Sequence, residues 1–353
     1  MLIHSKLIDY RVDIQTKLPD PFQRNDQGFS SQSSFFVIDQ AIYDCYPELF
    51  KALSSEKVFI FDVSEESKTM QYVFKMCEKL LENRCQRRTT LVAIGGGILQ
   101  DVAGFVASIY FRGIPWIFYP TTLLAQADSC IGGKTSLNFL KRKNLLGTFY
   151  PPERIVICLQ FLQSLSEKEF RSGIGEVIKL HIISGEKKFD QLFEKKESLF
   201  SRDLDSWGKW IQSSLEIKKS YIETDEHDLG LRKTLNFGHT CGHAIEACTH
   251  YEIPHGQAVL MGIIIACEMS FLRGMLSESK KQRVEALCEE VVGDLIPLKG
   301  IDREQFFEIV AMDKKNEENA IVEILIDDNL LPHIVNDVSK EEIAKALTKV
   351  VSF

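Results

Sequence analysis

The 353-residue chain is short of the features that mark several protein classes. Its nine cysteines are odd in number and include no Cys-x-x-Cys pair. That argues against a disulfide framework or a cysteine-bound zinc site, and for thiols held in a reducing cytoplasm. There is no excess of basic charge: 42 Lys and Arg stand against 50 Asp and Glu, a net charge of −8. Neither nucleic acid nor an anionic membrane is therefore the expected partner. Long apolar runs are missing too. The longest, 258–267, is far short of the roughly 20 residues that span a bilayer, and the N-terminal segment lacks the apolar stretch of a secretory signal. No internal repeat is present. What remains is 44% hydrophobic and 26% charged, long enough for about two domains at roughly 150 residues each. The expectation is a soluble, acidic, cytoplasmic α/β protein.

Short apolar runs at 35–38, 58–62, 90–94, 116–119 and 155–158 read as buried strands. Between the second and third, Val73, Met76, Cys77 and Leu80 recur at helical spacing. Strands alternating with helices indicate a parallel sheet of βαβ units. Beyond about residue 166 the pattern changes. Ser166-Glu-Lys-Glu169 forms a candidate capping box, and 171–183, 204–223, 257–274, 280–292, 303–312 and 339–350 all carry helical periodicity. The first half is α/β and the second mostly helical, with the boundary near 160–170.

Gly95-Gly-Gly97 directly follows the strand ending at Ile94 and precedes a helix through Asp101. Glycines there allow close approach of a pyrophosphate to a helix N-terminus. The spacing is not G-x-G-x-x-G, so an ordinary tight strand-to-helix turn explains it equally.

Five of the eight histidines lie between 227 and 255. His239 and His243 share a helix face, His255 follows in Pro254-His-Gly, and Glu176 stands in the small, apolar Gly173-Ile-Gly-Glu-Val-Ile. Imidazoles with one carboxylate make a catalytic zinc set with a position open for substrate. The competing reading is core histidines with Glu176 paired to Lys179, and spacing does not say which helix histidine is the ligand. Lys134, Lys143-Asn144, Lys179 and Arg232 sit in Gly-rich or apolar contexts. Isolated cations of that kind in an acidic chain point to an anion-binding cavity.

Together, Gly95-Gly-Gly-Ile-Leu-Gln-Asp101, Pro120-Thr-Thr-Leu-Leu-Ala-Gln-Ala-Asp128, Lys143-Asn-Leu-Leu-Gly, Gly175-Glu-Val-Ile-Lys and Leu235-Asn-Phe-Gly-His-Thr-Cys-Gly-His243 resemble the 3-dehydroquinate synthase family of sugar-phosphate cyclases. The likeness is dense from about 91 to 265. It implies a Rossmann-like NAD-binding α/β domain over 1–166 and a mostly α-helical metal- and substrate-binding domain over 167–353, with the active site in the cleft between them. It implies NAD and a divalent metal, zinc or cobalt, held by Glu176, His239 and His255. NAD contacts are implied at Asp39, Glu65, Lys68, Gly96, Gly97, Asp101, Thr121, Thr122, Lys143, Phe161 and Ser164. Substrate contacts are implied at Asp128, Lys134, Asn144, Lys179, Lys218, Arg232, Asn236 and His243. Arg112 would reach the substrate phosphate of a neighbouring subunit, so a homodimer is implied. The implied reaction belongs to the shikimate pathway of aromatic amino acid biosynthesis: a seven-carbon keto-acid phosphate is transiently oxidised by NAD, loses phosphate, is reduced again and closes by an intramolecular aldol.

Two departures from the family pattern stand out. After Asp313-Lys-Lys-Asn the family places a basic residue on the strand that here reads Ile321-Val-Glu-Ile, and the glycine just before that strand is replaced by Asn319 or Ala320. Asp39-Gln-Ala also departs from the family's Asp-x-Asn. The rivals are a sister cyclase acting on sedoheptulose 7-phosphate or making 2-deoxy-scyllo-inosose, a metal-dependent polyol or alcohol dehydrogenase, and a non-catalytic paralogue. Asn236 and Gly242-His243 match dehydroquinate synthases rather than valiolone-type enzymes.

Overall fold

A computed structural model describes residues 1–18, 34–140, 142–296, 298–311 and 321–352. The chain forms two compact units. One is Met1–Leu165 with Arg202–His227, and the other is Ser166–Ser201 with Asp228–Phe353. The chain leaves the first unit after Leu165 and is back in it from Arg202 to His227. The helix at 204–224 returns to the first unit, because its Trp207, Ile211, Leu215 and Ile222 are buried against the turns at 125–129 and 159–164.

The first unit holds a seven-stranded sheet. Its strands are β1 (Leu2–Ile3), β2 (Tyr10–Gln15), β3 (Ser34–Asp39), β4 (Val58–Phe61), β5 (Thr90–Gly95), β6 (Trp116–Pro120) and β9 (Arg154–Cys158), in the order β1-β2-β9-β6-β5-β3-β4. All pairs are parallel except β1 with β2. Phe36, Ile38, Val92, Ile94, Ile117, Tyr119, Val156 and Cys158 alternate along four strands and form one core face. Phe35, Val37, Leu91, Ala93, Trp116 and Phe118 are buried on the other. Both faces are covered, which is why these strands read as continuous apolar runs rather than alternating ones. The helices of this unit are α1 (Gln40–Cys45), α2 (Pro47–Phe50), α3 (Met70–Glu82), α4 (Gly97–Ile109) and α7 (Leu204–Thr224), with a hairpin of β7 (Leu137–Phe139) and β8 (Arg142–Leu146).

The second unit is built on α5 (Glu167–Ile182), α6 (Glu186–Phe193), α8 (His239–Cys248), α9 (His255–Leu272), α10 (Glu278–Val292), α11 (Arg303–Ala311) and α12 (Lys340–Leu347). Ser166 caps α5, its hydroxyl accepting from the Glu169 N–H at 3.2 Å, which is half of the expected box. Helix α9 is the hub, touching α5, α8, α10 and α12. With a mean hydropathy of 1.5 over 18 residues it is long and apolar enough to cross a membrane, but 83% of it is buried inside the unit. An all-round apolar helix of this kind is a core helix. Its one acidic residue, Glu268, is paired with Lys281 at 2.7 Å. Short strands complete the unit: β10 (Leu298–Lys299) beside β13 (Val351–Ser352), and β11 (Ile321–Ile326) antiparallel to β12 (Pro332–Val338). Asp313-Lys-Lys-Asn, Asn319 and Ala320 lie outside the described residues. All nine cysteines are free thiols.

Candidate active site

In the first unit the chain runs from β3 outward to β4 on one side and from β5 outward to β6 on the other. Open parallel sheets bind ligands outside the carboxyl ends of strands at such a switch point. Asp39 ends β3, Gly95–Gly97 join β5 to α4, Thr121 and Thr122 follow β6, and Glu65 follows β4. These expected cofactor residues therefore cluster at one edge of the sheet. A Cβ on Gly95 would lie 3.2 Å from the Asp39 Cβ, and one on Gly96 would lie 3.0 Å from Thr122 Cγ2. The glycines let three strand ends converge, and Gly96 has an extended rather than left-handed backbone. The 13-residue helix α4 starts there with no side-chain cap, so its first N–H groups and its dipole face this crevice. The Asp39 carboxylate instead accepts from the Ala41 N–H at 3.0 Å, and burial raises its pKa.

Beside it lies a polar knot. The buried Lys68 ammonium is 2.6 Å from Asp101 Oδ2 and donates to Asn144 Oδ1 at 2.6 Å. The Ser136 hydroxyl stands 2.8 Å from each of the same two oxygens. Burial raises the Asp101 carboxyl against the pull of Lys68 and Ser136. Glu65 Oε1 accepts from Asn138 Nδ2 at 2.7 Å and lies 3.7 Å from Lys143 Nζ. Asn144 has φ +52°, a left-handed conformation that asparagine tolerates, and this turns its amide back into the hairpin. Ser136 and Asn138 went unread in the sequence; their only signal was their place between Lys134 and Lys143. Helix α7 brings Lys218 to Asp128, with Nζ 2.8 Å from Oδ1 and donating to the backbone oxygen at 2.8 Å. Lys134 is exposed. Arg112 is exposed at a left-handed turn. The Phe161 ring is buried against Tyr46, which leaves its backbone as the part able to meet a ligand, and Ser164 Oγ donates to the Phe161 carbonyl at 3.0 Å.

In the second unit, glycine contacts bring three helices together. A Cβ on Gly256 would lie 1.8 Å from the Ser172 carbonyl oxygen, and one on Gly262 would lie 1.9 Å from the Gly238 oxygen. Each expected ligand adjoins one of these contacts: Glu176 follows Gly175 on α5, His255 precedes Gly256 on α9, and His239 follows Gly238 at the start of α8. The ring centres of His239, His243 and His255 lie 5.2 to 5.6 Å apart, and one nitrogen from each lies within 4.8 Å of the others. Glu176 Oε1 is 3.2 Å from His255 Nε2 and 3.8 Å from His239 Nε2, while Oε2 is 2.5 Å from Lys179 Nζ. The two readings of Glu176 are thus not exclusive, since each oxygen serves one.

His239 Nδ1 stands 3.1 Å from the Phe237 carbonyl, and His255 Nδ1 stands 3.1 Å from Glu246 Oε2. Both partners only accept, so Nδ1 carries the hydrogen in each ring and Nε2 is turned toward Glu176. Burial alone would raise the Glu176 carboxyl, but Lys179 and His255 outweigh it and hold it well below the usual carboxylate range. Burial likewise opposes charge on His255, yet Glu246 and Glu176 push it up to about 10. Glu176 is 1% exposed, and among the described residues its oxygens meet Lys179 and the two imidazoles as close charge contacts rather than as aligned hydrogen bonds. Buried polar atoms normally have such a partner. An ionised carboxylate left in that state beside two imidazole Nε2 atoms fits a divalent cation of the zinc type. Arg232 is buried on the turn Leu231–Asn236 just ahead of α8, and Asn236 Nδ2 donates to the Lys233 carbonyl at 3.0 Å.

Family models for the 3-dehydroquinate synthase N-terminal and C-terminal regions match residues 58–172 and 173–316. The 3-dehydroquinate synthase of Clostridium tetani is 36% identical over 97% of this chain and 93% of its own length. Among solved structures, 2-epi-5-epi-valiolone synthase from Streptomyces hygroscopicus, with NAD+ and Zn2+ bound, is 26% identical with a TM-score of 0.85 and covers 98% of both chains. A 2-deoxy-scyllo-inosose synthase complexed with carbaglucose-6-phosphate, NAD+ and Co2+ is 25% identical, also with a TM-score of 0.85 and 98% of both chains covered. Two matched regions, a relative alike along nearly its whole length and sister cyclases of the same fold agree: the chain belongs to the 3-dehydroquinate synthase family.

Proposed function

We propose that the protein is a 3-dehydroquinate synthase, a carbon–oxygen lyase that converts 3-deoxy-D-arabino-heptulosonate 7-phosphate into 3-dehydroquinate and phosphate. The observation that carries this reading is the buried Glu176 carboxylate facing His239 and His255 while Lys179 holds its charge. The curated relatives support it over a sister cyclase, because identity to the dehydroquinate synthase of Clostridium tetani is 36% whereas the valiolone and inosose synthases stand at 26% and 25%.

Glu176, His239 and His255 are the residues to hold the metal. NAD, when bound, would supply the acceptor and donor of a hydride at the substrate's C5, and a cation held by these three residues would make that hydroxyl more acidic. The N–H groups at the start of α4, with Gly96 and Gly97, suit the cofactor pyrophosphate. Asp39, Glu65, Lys68, Asp101, Thr121, Thr122, Lys143, Phe161 and Ser164 complete its pocket. Lys68 has a second task, neutralising Asp101 so that no bare carboxylate faces the pyrophosphate. Lys134, Asn144, Lys218, Asp128, Lys179, Arg232, Asn236 and His243 are the residues to take the substrate. Their cations balance the charge of the departing phosphate as the C6 proton is lost. Lys179 also keeps Glu176 ionised. Arg112 contributes to the partner's phosphate site in a homodimer. The basic residue usual on β11 is absent, since Val322 and the buried Glu323 stand there, so Arg232, the lysines and His243 carry that load.

The purified protein with NAD and zinc is expected to release phosphate from the seven-carbon keto-acid phosphate with no net growth of NADH absorbance. Silence on that substrate together with turnover of sedoheptulose 7-phosphate would overturn the assignment. Glu176→Ala and His255→Ala are each expected to abolish metal-dependent activity, and near-normal rates at limiting zinc would overturn the ligand set.

A further inference from the structure

We propose that Glu246 is a positioning residue for the metal centre. It fixes the His255 ring so that Nε2 is presented to the cation, and it places negative charge behind that ligand. The inference rests on the ligand assignment of the preceding subsection.

His255 is the first residue of α9 and follows Pro254, so no earlier helical turn packs against its ring. Its side chain is 31% exposed, far more than that of Glu176 at 1%. Contacts at the two nitrogens are therefore what orient it: Glu176 Oε1 at 3.2 Å from Nε2 and Glu246 Oε2 at 3.1 Å from Nδ1. Glu246 is itself well held. It lies seven residues after His239 and three after His243 on α8, on the face those histidines share. Its carbonyl accepts from the Tyr251 N–H at 2.8 Å and from Thr249 Oγ1 at 3.2 Å, closing the end of the helix. Its side chain is 8% exposed, so water screens its charge little.

The two imidazole ligands are set in the same tautomer by different means. His239 donates to a neutral carbonyl, that of Phe237, which orients the ring only. His255 donates to a carboxylate, which orients the ring and also raises the basicity of the far nitrogen. Of the two, His255 is the more exposed, and it is the one given the stronger restraint.

The test uses the full chain without substrate or NAD, with zinc and cobalt(II) affinities measured against a chromophoric chelator. Glu246→Ala is expected to weaken zinc binding by about 10–100-fold and to shift the visible spectrum of the cobalt-loaded protein. Glu246→Gln keeps an acceptor for Nδ1 but no charge. It is expected to retain the wild-type cobalt spectrum while binding roughly 3–10-fold more weakly. Thermal unfolding of the metal-free proteins is followed alongside, and if the alanine variant does not fold, the glutamine variant carries the test. Affinity within about twofold of wild type in the folded variants would overturn the proposal. Failure of the wild-type chain to bind either metal would instead overturn the ligand assignment, and this proposal with it.

Discussion

Two histidines in the same unit, one buried and one partly exposed, show how surroundings divide one side chain into opposite uses. His181 is 1% exposed and its Nδ1 donates to the Val177 carbonyl at 2.7 Å. Burial dominates there and pushes it down to about 4. His255 is instead pushed up by two carboxylates. Between about pH 6.5 and pH 4 the unfolded chain takes a proton at His181 that the folded chain refuses, so this contribution to stability is lost as pH falls through that window. The cost approaches about 3 kcal/mol at its lower end. Urea unfolding near neutral pH and near the bottom of the window should show wild type losing about 2–3 kcal/mol more than His181→Gln. Equal losses would place the acid sensitivity elsewhere. His255 is shifted the other way by Glu246 and Glu176, so a metal binding there must displace a held proton. Zinc binding is expected to release about one proton per site near neutral pH, measurable by calorimetry in buffers of different ionisation enthalpy. At this scale the ligand types were legible from an imidazole pair and a lone glutamate in apolar company. Glu246 and Ser136 were not, because each acts across a tertiary contact that no spacing records.

At the level of elements, the site is an outcome of how closely α5, α8 and α9 approach. Gly256 and Gly262 each face a backbone oxygen across a helix contact, and a backbone cannot swing aside as a side chain can. Gly256→Ala is expected to cost at least about 3 kcal/mol, the upper range of overpacking, and to weaken metal binding by separating Glu176 from His255. Gly274 is the matched control: it has φ +70° but, among the described residues, nothing within 4 Å of an added Cβ. Gly274→Ala should cost only about 1–2 kcal/mol from its left-handed backbone and leave metal binding unchanged. Denaturant midpoints and chelator competition on both variants check this, and equal effects would refute the contact argument. The long helices were readable because tertiary burial follows their 3.6-residue period, and the central strands because both faces are covered. Strand β12 escaped notice because only Val338 of its seven residues is buried, so no apolar pattern marks it.

For the whole molecule, the net charge of −8 describes a solvated surface, while Lys68, Lys179, Lys218 and Arg232 are buried cations that the total conceals. The division into units was legible as a change of periodicity but not as a topology. Nothing in the spacing of α7 distinguishes a helix that stays from one that returns; only the partners of its buried face do. Removing α7 uncovers the places of Trp207, Ile211, Leu215 and Ile222. At roughly 1.5–3 kcal/mol for each large apolar side chain, that loss is comparable to the whole stability of a typical domain, about 5–15 kcal/mol. A fragment of residues 1–165 is therefore expected to lack cooperative unfolding by circular dichroism, whereas a fragment joining 1–165 to 202–227 through a short linker should recover it. A cooperative transition in the shorter fragment would show that α7 is dispensable. The same discontinuity sets an order of events on the ribosome. The first unit lacks its last helix until some sixty further residues are made, about 3–12 s at typical rates of synthesis. Helix α5, with Glu176 and Lys179 on it, is made early in that interval, while both histidine helices are translated only after it. The pair must then neutralise itself, and the lysine that serves the finished site is also the first companion its carboxylate meets.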